Sequence, residues 1–596
     1  MKTRLLSLLF LFCNSFVFAQ VKFDQKQLDE TLKSLQEATQ TIGFSVAIVQ
    51  GNELIYSKGF GYRDLENKLA ADENTLYAIG SSSKAFTVAL LGIMEDEEGL
   101  KFTDSPRKYL PELEFYNDDL NNQVTIIDMI SHRTGLPRHD ISWYLFPTHD
   151  KDSLIARVKY QEPFTGIRSQ WYYNNFMYLA QGLITEKLTG KSWEENIKTR
   201  FFLPLQMATS NTSITELISQ KNISKGYSLE NFQTNTMMPY YDIAAISPAG
   251  SINSSAKEMA NWVRVWLNKG KFNDTQILPE AYVEKAINPL MLVGGGIGDK
   301  QFPDQHLNSY GFAWFTSSYK GHYRLEHGGN IDGFSANVSF FPTDSLGIVV
   351  LTNQNGSALP DLARNAIADE ILGLNKTDWK AYHLGKVEES KKQQEKSKEA
   401  EKSSTISNTK PSHSLAEYTG NYQNPGYGIF KILLENDSLW AQFPREKMYL
   451  GHRHYDIFLP HMMKNGKLKA ESSFPVNFNF QTNDAGDISE VKLKFEPTVD
   501  PIPFTRNPEE ASVSKEKLES YVGIYALSGA NLKISINDGQ LKLLVPGQPE
   551  YTLIPIKENE FAIKGLTGFK VRFEETEEIL NMLLIQPNGT FTATKK

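Results

Sequence analysis

The chain has 596 residues, 40% hydrophobic and 22% charged, with a formal net charge of −8 and one cysteine. That length exceeds a single hydrophobic core and predicts several domains. The acidic balance excludes an electrostatic footprint for nucleic acid, and a lone cysteine excludes an internal disulfide framework and a thiolate metal cluster.

The first predicted element is an export signal over residues 1–19. Lys2 and Arg4 supply a positive start, Leu5 to Phe12 an apolar stretch, and Val17-Phe18-Ala19 a small-residue cleavage site, so the mature chain is expected to begin near Gln20. The apolar stretch is too short to span a bilayer comfortably, and no later run is long enough for stable membrane insertion. The expected destination is the periplasm or the medium. Cys13 lies within this segment behind Phe12, which argues against lipid attachment and leaves the mature chain without a thiol.

From residue 20 to 385, helix and strand signals alternate. Phe44 to Gln50 and Glu53 to Tyr56 flank the turn pair Gly51-Asn52. A strand-like Leu76 to Gly80 leads into a helix over Ser82 to Glu98, closed by Gly99. Arg324 to His327, Ala336 to Phe341 and Leu346 to Leu351 read as strands, and Asp361 to Leu372 as a helix. Strands at both ends with helices between predict an α+β domain around one antiparallel sheet.

Over residues 386–410 Lys, Glu, Gln and Ser take over, which predicts a charged linker or an exposed helix. The rest is strand-rich and repeats itself. Leu415-x-x-Tyr418-x-Gly420-x-Tyr422 returns as Leu518-x-x-Tyr521-x-Gly523-x-Tyr525, and Phe458 and Phe561 keep the same 103-residue offset. Two small β-barrels, 411–506 and 507–596, are expected, with turns such as Asn537-Asp538-Gly539 and Asn588-Gly589.

The chemistry begins at Ser81-Ser82-Ser83-Lys84. On a helix, Ser81 and Lys84 share a face one turn apart, so a hydroxyl nucleophile would sit beside an amine able to take its proton. Ser-x-x-Lys also occurs at Ser105, Ser254, Ser317, Ser489 and Ser512; only Ser81 follows a strand and opens a strongly apolar helix. A helix start offers free N–H groups, and burial would make Lys84 a better base. Trp171-Tyr172-Tyr173-Asn174-Asn175 offers two pairs, Tyr172-x-Asn174 and Tyr173-x-Asn175, either of which supplies a phenol for proton transfer and an amide able to hold a substrate carbonyl and the lysine. His327-Gly328-Gly329 is a strand whose glycines admit a close backbone approach, and the N–H groups of Ser81 and Asn330 could form an oxyanion hole. The histidines lack metal-ligand spacing, and no phosphate loop or cofactor motif is present.

In this order the three elements resemble the class C β-lactamase-like, penicillin-recognising serine hydrolases over most of residues 30–375. Val124 to Pro137, Gly182 to Gly190 and Pro248-Ala249-Gly250-Ser251 resemble further family segments. The resemblance implies a β-lactamase/transpeptidase-like fold, Ser81, Lys84 and Tyr173 as catalytic residues, and Asn175, His327, Gly329 and Asn330 around the substrate. It implies attack by Ser81, an acyl-enzyme and hydrolysis by water. Familiar β-lactamases and carboxypeptidases carry a lysine where this chain has His327, which argues against efficient β-lactam hydrolysis. The tail resembles that of D-aminopeptidases with two lipocalin-like barrels, in which a barrel loop can limit access to the site. A peptidase, D-aminopeptidase or esterase acting on a small-molecule or peptide substrate is therefore expected. A β-lactamase, or a non-catalytic cell-wall or ligand-binding protein on this scaffold, is the alternative. A homo-oligomer is compatible with the sequence, which does not fix the assembly.

Overall fold

A computed structural model describes residues 23–298, 302–464, 467–473, 476–507, 511–564, 566, 568–576 and 579–596. The expected export signal lies outside the described residues.

The first domain is built on a nine-stranded sheet. Its spatial order is Met291–Gly295, Leu307–Tyr310, Phe315–Tyr319, His322–Ile331, Phe334–Phe341, Leu346–Thr352, Gly43–Gln50, Glu53–Asp64 and Leu69–Ala70. Neighbouring strands run antiparallel, and the two ends of the domain meet where Phe44 faces Thr352. The expected sheet assembled from distant segments is thus realised.

The central strands Phe334–Phe341 and Leu346–Thr352 are buried along their whole length because helices cover both faces. Period-two alternation sends Val46 and Ile48 to one side, against Leu28, Leu32, Leu362 and Ile367 of the helices Gln25–Thr39 and Leu359–Ile371. Ala47 and Val49 face the other side, packing with Phe86, Leu90, Trp262 and Trp266. The helix Lys84–Glu97 on that side is buried from Lys84 to Met94. Its all-round apolarity marks a helix threaded through the core rather than laid on it. Gly99, at φ +67°, ends the run as expected.

The helix Trp379–Ser403 starts before the compositional change at Lys386. Trp379 explains the difference: its indole stacks on Phe302 with ring centroids 5.6 Å apart and donates to Asp369 at 3.0 Å, tying the first turn to the domain. Beyond it the helix is solvated, in keeping with its charge.

Two closed eight-stranded barrels follow. The first ring runs from Gly420–Asn424 to Ile502–Asn507, which pair with each other, and Lys467–Ser473 forms a side hairpin on Ile457–Lys464. The second runs from Gly523–Leu527 to Gly589–Lys595. The repeat read in the sequence is one packing device used twice. Tyr422 Oη donates to the Tyr418 carbonyl at 2.8 Å, and Tyr525 Oη to the Tyr521 carbonyl at 2.7 Å. Tyr418 meets Phe458 edge-on at 5.4 Å, and Tyr521 meets Phe561 edge-on at 5.8 Å.

The first barrel does not stand apart. Leu145 and Phe146 of the first domain enter its hydrophobic core, where Phe146 meets Phe443 at 5.5 Å and Phe504 at 5.9 Å.

Candidate active site

The short strand Tyr77–Ala78, pinned to Asn253–Ser254, delivers the chain to a tight 3-10 turn over Gly80–Ser83 before the helix Lys84–Glu97 begins. Ser81 therefore lies in the turn that precedes the helix. Gly80 has φ +51°, and a Cβ there would come within 2.8 Å of the Asn330 nitrogen. A Cβ on Gly329 would reach 1.8 Å from the Ile79 carbonyl oxygen and 3.1 Å from the Ser81 nitrogen. Two glycines thus let the strand His322–Ile331 and the Ser81 turn meet backbone to backbone, bringing the Ser81 and Asn330 main-chain nitrogens to one seam.

The three serines have different tasks. Ser82 Oγ donates to the His327 carbonyl at 3.0 Å, and Ser83 Oγ accepts from the Ile252 N–H at 3.1 Å. Both fasten the turn, leaving Ser81 as the half-buried hydroxyl. Lys84 Nζ lies 3.1 Å from Ser81 Oγ and donates to the Ala249 carbonyl at 2.6 Å. Lys84 is completely buried, and this desolvation holds its ammonium well below the usual lysine range; nearby Asp140 opposes the shift and Arg138 adds to it. Desolvation favours the uncharged amine, which can donate to Ala249 while turning its lone pair to Ser81.

Two side chains lie over the Tyr173 ring, the Lys84 amine and the Arg138 guanidinium, each 4.8 Å from its centroid. Its hydroxyl is buried and makes no hydrogen bond of ordinary geometry, although Ser81 is near enough to favour the phenolate weakly. Burial dominates and holds the phenol well above its usual range. Tyr173 therefore keeps its proton in the resting site.

Asn175 departs from expectation. Its amide donates to Asp140 Oδ1 at 2.9 Å, and the fixed acceptor on Lys84 is Ala249 instead. Asp140 also accepts from Trp143 Nε1 at 3.0 Å and pairs with Arg138 at 2.6 Å. The carboxylate thereby gathers Asn175 and Arg138 at the rim. Arg138 and Asp140 follow Pro137 where the chain turns into the short helix Asp140–Tyr144, and no spacing in the sequence connects them to Asn175.

His327 is buried, and both ring nitrogens are engaged within the protein. Nδ1 faces the Gly328 carbonyl at 2.6 Å and Nε2 the Tyr310 hydroxyl at 3.0 Å. Burial, reinforced by Lys84, lowers its pKa to about 3, so the ring is neutral. It holds no charge for a substrate carboxylate. Gly329 and Asn330 continue the strand past Ser81, and the Asn330 side chain ties it to Asn355, Ser335 and Gly356.

The first barrel supplies the outer rim. Glu496 accepts the main-chain N–H groups of Arg138, at 3.1 Å, and of His139. Thr498 Oγ1 donates to Tyr172 Oη at 3.0 Å, and Tyr427 Oη meets His139 Nδ1 at 2.7 Å. Arg445 is stacked between Tyr144 and Tyr241, at 3.9 and 3.7 Å, and pairs with Asp332. Sequence reasoning missed these residues because long-range docking leaves no local pattern. Beside the Gly80 turn opens a cavity with an apolar wall of Tyr240, Tyr241, Ile243 and Ile331 and the buried, unbonded hydroxyl of Ser251. Among the described residues no cluster of three His, Cys, Asp or Glu side chains could hold a metal ion, and no helix is long and apolar enough to cross a membrane.

Comparison with known proteins adds to this geometry. The family described as "Beta-lactamase" matches residues 28–372, more than half of the chain, and a domain of unknown function, DUF3471, matches residues 404–506. The unguisins hydrolase ungD' of Aspergillus campestris is 26% identical over 431 residues, covering 68% of this chain and 77% of its own length. Protein flp of Staphylococcus aureus strain MW2 is 25% identical over 344 residues, 57% of this chain and 65% of its own. The octameric penicillin-binding protein homologue of Pyrococcus abyssi superposes with a TM-score of 0.53 at 20% identity, covering 81% of this chain and all of its own.

Proposed function

The chain belongs to the beta-lactamase family, and on that premise we propose that it is an exported serine hydrolase that opens an amide or ester through an acyl-enzyme on Ser81. One observation carries the reading. Ser81 Oγ lies 3.1 Å from a completely buried Lys84 whose other bond is to a carbonyl, which leaves a base beside a nucleophile.

Lys84 takes the Ser81 proton as Oγ attacks the substrate carbonyl. The Ser81 and Asn330 N–H groups receive the developing oxyanion. Tyr173, which holds its proton in the resting site, delivers it to the leaving group and regains it through Lys84. Water then hydrolyses the Ser81 ester by the reverse proton path.

A neutral His327 in place of a charged lysine favours a peptidase, a D-aminopeptidase or an esterase over a β-lactamase. The relative named as an unguisins hydrolase supports the hydrolytic reading. The charge and apolar pattern expected of an export signal over residues 1–19 supports action outside the cytoplasm.

The test offers D-aminoacyl amides, p-nitrophenyl esters and a chromogenic cephalosporin to wild type and Ser81→Ala. Ser81→Ala should lower turnover by about a thousandfold or more, with the cephalosporin the poorest substrate. Equal turnover in both proteins contradicts the assignment. N-terminal sequencing of the exported protein should begin near Gln20, and an unprocessed cytoplasmic chain contradicts export.

A further inference from the structure

The segment Val124 to Pro137 has no task in the chemistry above, yet His132 within it touches the site. His132 is completely buried and adopts φ +54°, a left-handed conformation uncommon for histidine. That conformation turns its carbonyl and its ring to one stretch of chain. The carbonyl accepts the Tyr172 N–H at 2.8 Å, and Nδ1 accepts the Asn174 N–H at 3.1 Å. Between those two bonds lies Tyr173, whose ring packs on the imidazole with centroids 4.3 Å apart. A single residue grips the main chain on both sides of Tyr173 and supports its ring.

The same bonds fix the tautomer. A ring nitrogen that accepts an N–H carries no proton, so the imidazole proton resides on Nε2. Nε2 is buried without a partner, and the imidazole packs among the rings of Trp171, Tyr178 and Tyr310 with centroids 5.9, 5.1 and 5.0 Å away. Burial, with Lys84, His327 and Arg138 nearby, holds the imidazole well below its usual range and neutral. A proton on Nδ1 would break the Asn174 bond.

We propose that His132 is the positioning residue of Tyr173: its carbonyl and Nδ1 hold residues 172 and 174, and its ring sets the phenol against Lys84 and Ser81. The kinetic consequence rests on the hydrolase reading; the geometry does not. An unsatisfied buried donor is a cost tolerated where the fold needs a defined orientation.

Two variants separate the parts of the clamp without backbone strain, because Gly and Asn both accept φ +54°. His132→Gly removes the ring and the acceptor, whereas His132→Asn restores an acceptor oxygen. In the full-length protein, His132→Gly should lower kcat about a hundredfold with KM within about threefold, and His132→Asn should recover about tenfold of that loss. Nitrogen-15 NMR of wild type at neutral pH should show Nε2 protonated and Nδ1 bare. The proposal is overturned by unchanged kcat in His132→Gly, by equal losses in both variants at equal thermal stability, by a KM rise matching the kcat fall, or by a proton on Nδ1. A folded wild type that neither turns over nor reacts at Ser81 overturns the hydrolase reading instead, and the nitrogen signal then decides the clamp geometry alone.

Discussion

The two barrels share their internal design and differ in what closes them. Each hangs one tyrosine, Tyr422 or Tyr525, on the main-chain carbonyl of a second, Tyr418 or Tyr521, and packs a phenylalanine edge-on against that second ring. In the first, the core also receives Leu145 and Phe146 from the preceding domain, and Glu496, Thr498, Tyr427 and Arg445 reach back to the site's rim. The core of the second is formed by its own residues, among them Leu553, Phe561 and Phe573, and its Lys570 pairs with Asp487 of the first barrel at 2.7 Å. A repeated sequence thus gives the same fold twice, but among the described residues it is the first copy that reaches the rim of the candidate site. The interior of that barrel is filled with aromatic side chains, which argues against its serving as a carrier of an apolar ligand.

The largest expected effect comes from truncation. Ending the chain at Ser403 bares Leu145 and Phe146 and releases Arg138 and His139 from Glu496, so the shortened protein should aggregate or lose turnover. Ending it at Asn507 should leave turnover intact. Comparable activity in both truncations would break the contrast between the barrels.

Phe146→Ala tests the same contrast with one side chain. Emptying that position should cost about 3–5 kcal/mol, read as a lower denaturant midpoint together with lower turnover. Phe573→Ala, which removes the ring stacked on Tyr521 at 4.1 Å, should destabilise by a similar amount with turnover of the folded fraction unchanged. Arg445→Met keeps the stem between the two tyrosines but deletes the charge paired with Asp332. It should cost about 2 kcal/mol of docking, seen as faster proteolysis between the first domain and the first barrel.

The smallest effect concerns pH. Burial raises the Glu496 carboxyl above its ordinary value, with its two N–H bonds opposing. The folded state then binds the proton more tightly than the unfolded state, so docking is strongest below the ordinary glutamate pKa and weakens as pH rises through the raised one. Glu496→Gln should flatten that slope in a thermal-melting series. A slope unchanged in the variant would place its origin elsewhere.

The helix through the core, the strand closing on Leu346–Thr352 and the paired barrels were legible because apolar periodicity and repetition are local signals. Ser81 stood out from the other Ser-x-x-Lys matches for the same reason: burial of the following helix was written in its composition. The lysine's true partner was not legible. Asn175 looked suited to hold it, but the Ala249 carbonyl arrives from a segment distant in sequence and takes that place. Arg138, Asp140 and Glu496 were invisible for a similar reason, since docking pairs one loop with a barrel more than three hundred residues away. The start of the helix Trp379–Ser403 was missed because Trp379 ties to Asp369, a tertiary bond within an otherwise polar stretch.

The central claim is that Ser81 is a nucleophile activated by a buried Lys84. The most direct measurement is the intact mass of wild type and Ser81→Ala after exposure to a fluorophosphonate at neutral pH. Wild type should gain one adduct, mapped to Ser81, and Ser81→Ala none. A folded wild type that gains no adduct, or an adduct that persists in Ser81→Ala, would contradict the account.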